Sequence, residues 1–130
     1  MLQGVEYRKG GLSDLTQLRF EKGLSASPKS IEFNVLGIGH EFWIASEFGS
    51  IIGVAVLARE NEKSFRILHL EVAPVRKKEG IGSALLRAVM SSYPACAFFV
   101  TPFQGTEEFY SHLGFVRAGR WEMKRESSQP

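Results

Sequence analysis

Cysteine is nearly absent from this sequence. Cys96 is alone, so no internal disulfide framework and no thiolate zinc cluster can form. One cysteine fits a reducing compartment, and core packing is its expected role. His40 and His112 have no acidic partner at metal-ligand spacing, so no metal site is expected. Long apolar runs are missing too. None approaches the roughly 18 residues of a membrane span, and no basic-then-apolar segment opens the chain as a signal peptide would. A charge excess is also lacking: 16 Lys and Arg against 14 Asp and Glu leave +2 in 130 residues. That balance argues against a dedicated nucleic-acid binder. The expectation is a cytoplasmic protein with neither membrane nor nucleic-acid partners.

What is present is a 44% hydrophobic chain, enough for one sizeable core. A single domain is expected over 1–126, with the polar residues 127–130 forming a disordered tail. "GVEYRKG" alternates as a short strand. "LSDLTQLRFEKG" reads as a helix capped by Ser13, with Leu15, Leu18 and Leu12 on its apolar face. After the loop "SASPKS", Pro28 suits the first turn of a second helix, whose stripe is Ile31, Val35 and Ile38. The period then changes. "EFWIAS", "SIIGVAVLAR" and "SFRILHLEV" are rich in β-branched and aromatic residues, and the short turns "EFGS" and "ENEK" predict antiparallel neighbours. Pro74 ends the third of these strands. Ile81, Leu85, Ala88 and Val89 recur at helical spacing, and "ACAFFVT" reads as a strand buried on both faces. "GTEEFYSHLG" predicts a helix capped by Thr106 and ended by Gly114, and "FVRAGRWEMK" closes with a bent strand or small hairpin. The fold class is α/β, mixed α+β, with a mostly antiparallel sheet.

The stretch "VAPVRKKEGIGSALL" joins a strand end to a basic turn, two glycines and a helix start. Such a turn lets backbone N–H groups approach an anion closely. Arg76, Lys77 and Lys78 add positive charge beside it. A P-loop is excluded because no glycine-rich run ends in Gly-Lys-Ser/Thr. A dinucleotide fingerprint fails because Leu85 stands where a small residue is needed. Glu79 beside the glycines is tolerable only if backbone donors do the binding. Pairing with Lys77 or Lys78 would let it hold the turn.

Val72-Ala73-Pro74 followed by Lys77-Lys78-Glu79-Gly80-Ile81-Gly82 resembles the acetyl-CoA signature of the GNAT superfamily of N-acetyltransferases. Lys77 stands where that family usually carries Gln or Arg. "FYSHLGF", from Phe109 to Phe115, is similar to the family's Phe-Tyr-x-x-x-Gly-Phe element. The resemblance spans roughly Ile51 to Lys124. It implies a central sheet with a splayed strand pair and flanking helices, with acetyl-CoA as acyl donor. It further implies a cofactor set of Leu70, Val72, Lys77, Lys78, Glu79, Gly80, Ile81, Gly82, Ser83 and Ala84. The pantetheine arm would lie between the strand holding Leu70 and Val72 and the one near Phe98 to Val100.

The same resemblance makes Tyr110 the general acid for the departing thiolate, acting on an amine acceptor, either a small molecule or a protein or peptide. The base is open. Strict alternation puts Arg66, Leu68, Leu70 and Val72 on one face and Phe65, Ile67, His69 and Glu71 on the other. By the resemblance, the acetyl group faces the Arg66 and Leu68 side, so His69 is expected to be structural. Glu71 is the better candidate, provided a bulge turns it inward; otherwise a water serves. Glu21, Glu32, Glu41 and Glu47 are placed to attract a cationic amine. A homodimer through the C-terminal strands is compatible with the family. A non-catalytic acyl-CoA sensor of the same fold is the alternative, and an unrelated phosphate-binding α/β protein is a third.

Overall fold

The computed structural model describes residues 4–21, 23, 24 and 28–129, so the predicted loop at 25–27 lies outside the described residues. In chain order the elements are β1 (Val5–Lys9), α1 (Leu12–Leu18), α2 (Pro28–Glu32), β2 (Glu41–Glu47), β3 (Ser50–Asn61), β4 (Ser64–Val72), α3 (Ile81–Ser92), β5 (Ala97–Val100), α4 (Glu107–His112), β6 (Val116–Arg117) and β7 (Met123–Arg125). They build one seven-stranded sheet in the order β1-β2-β3-β4-β5-β7-β6. Every neighbouring pair is antiparallel except β4 and β5. The mixed, mostly antiparallel sheet expected from the sequence is therefore the observed one. The turn between β2 and β3 has Phe48 at φ 49° and Gly49 at φ 85°, the twist a two-residue hairpin demands.

Two apolar layers hold the sheet. Leu15 and Leu18 of α1 and Ile31 of α2 pack with Phe42, Ile44, Val54 and Val56 on one face. Leu85, Leu86, Val89 and Met90 of α3 cover Ala55, Leu57, Phe65, Ile67 and Phe98 on the other. Cys96 is buried in this second layer, as its expected packing role requires. At Gly53 a Cβ would lie 3.3 Å from Ala45 Cβ and 3.5 Å from Ile81 Cγ2, so glycine there lets the first turn of α3 sit down on the sheet. In the polar tail, the Ser128 and Gln129 N–H groups donate to the Pro94 carbonyl at 3.0 and 3.2 Å.

Three local expectations are corrected. Ser13 does not cap α1: Gly11 precedes the helix, and its N–H donates to Asp14 Oδ2 at 2.8 Å. Asp14 also receives a forked pair of bonds from Arg8, both 2.8 Å, which ties α1 to β1. Ile38 does not join the α2 stripe. Phe33–Gly37 is wound as a π-helix, and its wider turn leaves Ile38 exposed while Ile31 is buried. Thr106 precedes α4, but its hydroxyl donates to Phe103 O at 2.6 Å instead of capping the helix.

The feature that positions the site is in β4. Val56 is opposite His69 while Leu57 is opposite Ile67, so Leu68 is an extra residue without a partner on β3. This bulge breaks the strict alternation predicted from sequence. Beyond it, Leu70 rejoins Ile67 and Phe65 in the layer under α3. His69 and Glu71 fall opposite Val56 and Val54, on the α1–α2 face. Pairing of β4 with β5 runs only from Ser64↔Ala97 to Ile67↔Val100, so residues 68–72 have no strand on that side. The two parallel strands thus part at the bulge, as the splayed pair was expected to.

Candidate active site

The parted strands open into a cleft of about 590 Å³, lined by Leu70 and Val72 of β4, by the turn before α3 and by the start of α4. That volume suits a cofactor-sized ligand. Of the cofactor set read from sequence, Leu70, Val72, Lys77, Lys78, Gly80, Ile81, Gly82 and Ser83 all line it. Lys78 at φ 71° and Gly80 at φ 86° adopt the left-handed conformation that turns successive N–H groups to one side. The first helical bond of α3 runs from Ala84 N to Gly80 O at 3.0 Å, so the N–H groups of 80–83 precede the intrahelical ladder. Ala84, expected in the same set, does not line the cleft, and its N–H is taken by that bond. Gly82 faces the cleft floor, and a Cβ there would only touch Phe109 and Val72 at 3.5 Å.

Glu79 also stands outside the cleft lining. Its partner is neither Lys77 nor Lys78 but Arg76, whose Nε donates to Glu79 Oε2 at 2.8 Å. The same guanidinium reaches across to the β2–β3 hairpin, donating to Glu47 Oε1 at 2.5 Å and Oε2 at 3.1 Å. Two carboxylates therefore absorb the Arg76 charge, raising its pKa and lowering that of Glu47. Lys77 and Lys78 remain as cations on the cleft wall with no ion pair among the described residues.

Tyr110 forms the opposite wall. It is buried between Phe109 and Phe115, with ring centroids 5.0 and 5.4 Å away. Burial pushes the phenol up to about 12, and its hydroxyl has no partner among the described residues. Phe103, Gly105, Thr106 and Phe109 line the cleft as well and were not anticipated. Phe109 opens the Phe-Tyr-x-x-x-Gly-Phe element beside Tyr110, and that element was its available signal. Phe103 and Gly105 lie in a loop with no periodicity to read.

On the far side of β4, Glu71 approaches His69 Nε2 at 3.3 Å, with its side chain only 11% exposed. The bulge puts this pair on the face of Arg66, so the expectation that His69 and Glu71 face away from that side is overturned. The other acids considered for an amine are already engaged. Glu32 binds Arg19 and Glu47 binds Arg76. Glu41 accepts from Tyr93 Oη at 2.5 Å, while Glu21 accepts from the Ile51 N–H at 3.2 Å. Among the described residues no three His, Cys, Asp or Glu side chains group as metal ligands.

Residues 39–117 match the family model of the acetyltransferase (GNAT) domain. The chain belongs to the GNAT family. The GNAT fold is also that of many solved structures. The ribosomal-protein-S18-alanine N-acetyltransferase from Escherichia coli superposes with TM-score 0.79 at 17% identity, covering 97% of this chain and 96% of that one. Ard1 from Thermoplasma volcanium gives 0.78 at 17% identity, covering 94% and 97%. A GNAT acetyltransferase from Brucella melitensis in complex with acetyl-CoA gives 0.74 at 17% identity, covering 94% and 87%. A search of curated protein sequences finds no match. The cleft lies beside the stretch of β4 that β5 does not pair, with Leu70 and Val72 on its wall.

Proposed function

We propose that this GNAT domain transfers the acetyl group of acetyl-CoA to a primary amine by direct attack within a ternary complex. The observation that carries the reading is the open edge of β4: the phosphate turn and Tyr110 lie on one side of it, Glu71 on the other. The N–H groups of 80–83, with Lys77 and Lys78, hold the pyrophosphate. The pantetheine arm runs along residues 68–72, whose edge groups lack a strand partner. An N–H of that edge polarises the thioester carbonyl and stabilises the oxyanion formed on attack.

The amine enters from the α1–α2 face. Glu71, supported by His69, accepts the ammonium proton directly or through a water. The free amine nitrogen then forms a bond to the carbonyl carbon and loses its second proton to solvent, the carbon–sulfur bond breaks, and the departing thiolate takes the Tyr110 proton, which solvent returns to the phenolate. A phenol raised to about 12 stays protonated throughout the physiological range, so the proton is in place when the thiolate departs. The acceptor is a small-molecule or a peptide amine.

Thermal unfolding with acetyl-CoA, CoA and ATP tests the cofactor. Acetyl-CoA at about a hundred times its Kd adds ~2.7 kcal/mol of apparent stability, ATP adds none, and Gly82→Trp abolishes the gain. If neither CoA species stabilises the protein, the acetyl-CoA reading is wrong. For the chemistry, Tyr110→Phe and Glu71→Gln each lower kcat by roughly a hundredfold or more while CoA affinity is retained. Unchanged turnover in Tyr110→Phe removes its acid role. CoA binding without transfer to any amine in an acceptor screen would favour the sensor alternative.

A further inference from the structure

Arginines in this protein are almost all committed. Arg8, Arg19, Arg66 and Arg76 bind carboxylates. Arg59, Arg117 and Arg125 donate to backbone carbonyls, while Arg120 lies over Trp121. Arg87 alone makes no hydrogen bond, ion pair or ring contact among the described residues. It lines a second cavity, of about 220 Å³, together with Met90, Ser91, His112, Leu113 and Arg125.

Arg125 is held in place there. Its Nε donates to Leu113 O at 3.0 Å, and its stem passes over Gly114, where a Cβ would come within 3.4 Å of that Nε. The two terminal nitrogens of this fixed guanidinium have no partner among the described residues. No carboxylate lines the cavity; Glu108 only approaches His112, at 3.9 Å with its side chain 86% exposed. Two guanidinium forks, a serine hydroxyl and an imidazole offer more donors than a carboxylate can accept, whereas a tetrahedral phosphate presents three terminal oxygens.

We propose that this cavity is a binding site for a phosphate monoester, with Arg125 as the fixed fork and Arg87 as the mobile one. Arg87 follows Ser83 by one helical turn, about 6 Å along α3 from the cofactor cleft. The phosphate is therefore either the 3′-phosphate of CoA or one carried by a separate molecule. Only the first source rests on the acetyl-CoA reading.

Arg87→Gln is the informative variant, because a residue without contacts should not change the unliganded melting temperature. Affinities are measured at fixed ionic strength for CoA, 3′-dephospho-CoA and inorganic phosphate, with chloride as the control anion. If the cofactor supplies the phosphate, CoA binds about tenfold tighter than 3′-dephospho-CoA, and Arg87→Gln erases that difference. If a separate molecule supplies it, the two cofactors bind alike, and inorganic phosphate stabilises the wild type but not Arg87→Gln. The proposal is overturned if Arg87→Gln leaves all three affinities unchanged, or if phosphate acts no differently from chloride while CoA and 3′-dephospho-CoA bind alike. Failure of both cofactors to bind would defeat the acetyl-CoA reading and leave the phosphate arm as the test of the cavity.

Discussion

Glu79 can sit beside the open N–H groups of the turn before α3 because Arg76 takes up its charge. Arg76→Met therefore leaves an uncompensated acid next to the anion. We expect CoA affinity to fall roughly five- to tenfold, and Glu79→Gln in the same chain to restore most of it, as titration calorimetry would read. No recovery in the double variant would mean that Arg76 acts through Glu47 and the hairpin instead. Asp14 is a second residue whose surroundings set its effect. The Arg8 guanidinium holds its carboxyl below the ordinary 3.8, helped by the Gly11 N–H and opposed by burial. Its folded pKa is depressed, so its contribution is present above about pH 4 and lost as pH falls through the folded value. Asp14→Ala should cost about 2 kcal/mol at pH 7 and much less near pH 2, as urea midpoints at the two pH values would show.

At the scale of elements, the bulge in β4 decides more than any side chain. Deleting Leu68 leaves Leu70 and Val72 on the same face as Phe65 and Ile67, because an unpartnered residue is all that is removed. Without the bulge, β4 continues straight beside β5 and the gap between them narrows. The deletion should keep a cooperative melting transition but lose the stabilisation by acetyl-CoA. A deletion variant still stabilised as the wild type is would show that the bulge does not open the cleft. The β2–β3 hairpin links the two sides of the sheet. Glu47 at its end holds the turn before α3 through Arg76, while Gln17 of α1 donates to Gly49 O at its tip. Glu21, just beyond α1, accepts from the adjacent Ile51 N–H.

At the scale of the whole molecule, two tyrosines seal the layer between the sheet and the helices α3 and α4. Tyr93 is raised to about 12 first by burial and then by its bond to Glu41, and Tyr110 is raised to about 12 by burial alone. Both phenols have folded values above the unfolded one near 10. Their contribution is complete below pH 10 and is lost as pH rises through about 12, so stability should fall across that window. Denaturant midpoints measured between pH 9 and 12 should drop less steeply in Tyr110→Phe. An equal drop in both proteins would place the alkaline sensitivity elsewhere.

Composition and pattern alone determined the strand and helix order, the single cysteine's packing role, the hairpin at Phe48-Gly49 and most of the residues that line the cleft beside α3. These features follow from period, turn chemistry and a local motif, and each is encoded by residues near one another in the chain. Only the tertiary structure decided the rest. Leu68 looks like one more alternating strand residue, and nothing local marks it as the extra one. Its unpartnered status exists only against β3, and with it the face that Glu71 and His69 occupy. The partners of Arg76, Glu41 and Glu47 were likewise out of reach, since Glu47 meets Arg76 across 29 residues and Glu41 meets Tyr93 across 52. Ion pairs of that kind are chosen by which strands and turns become neighbours, a choice made by the folded sheet as a whole.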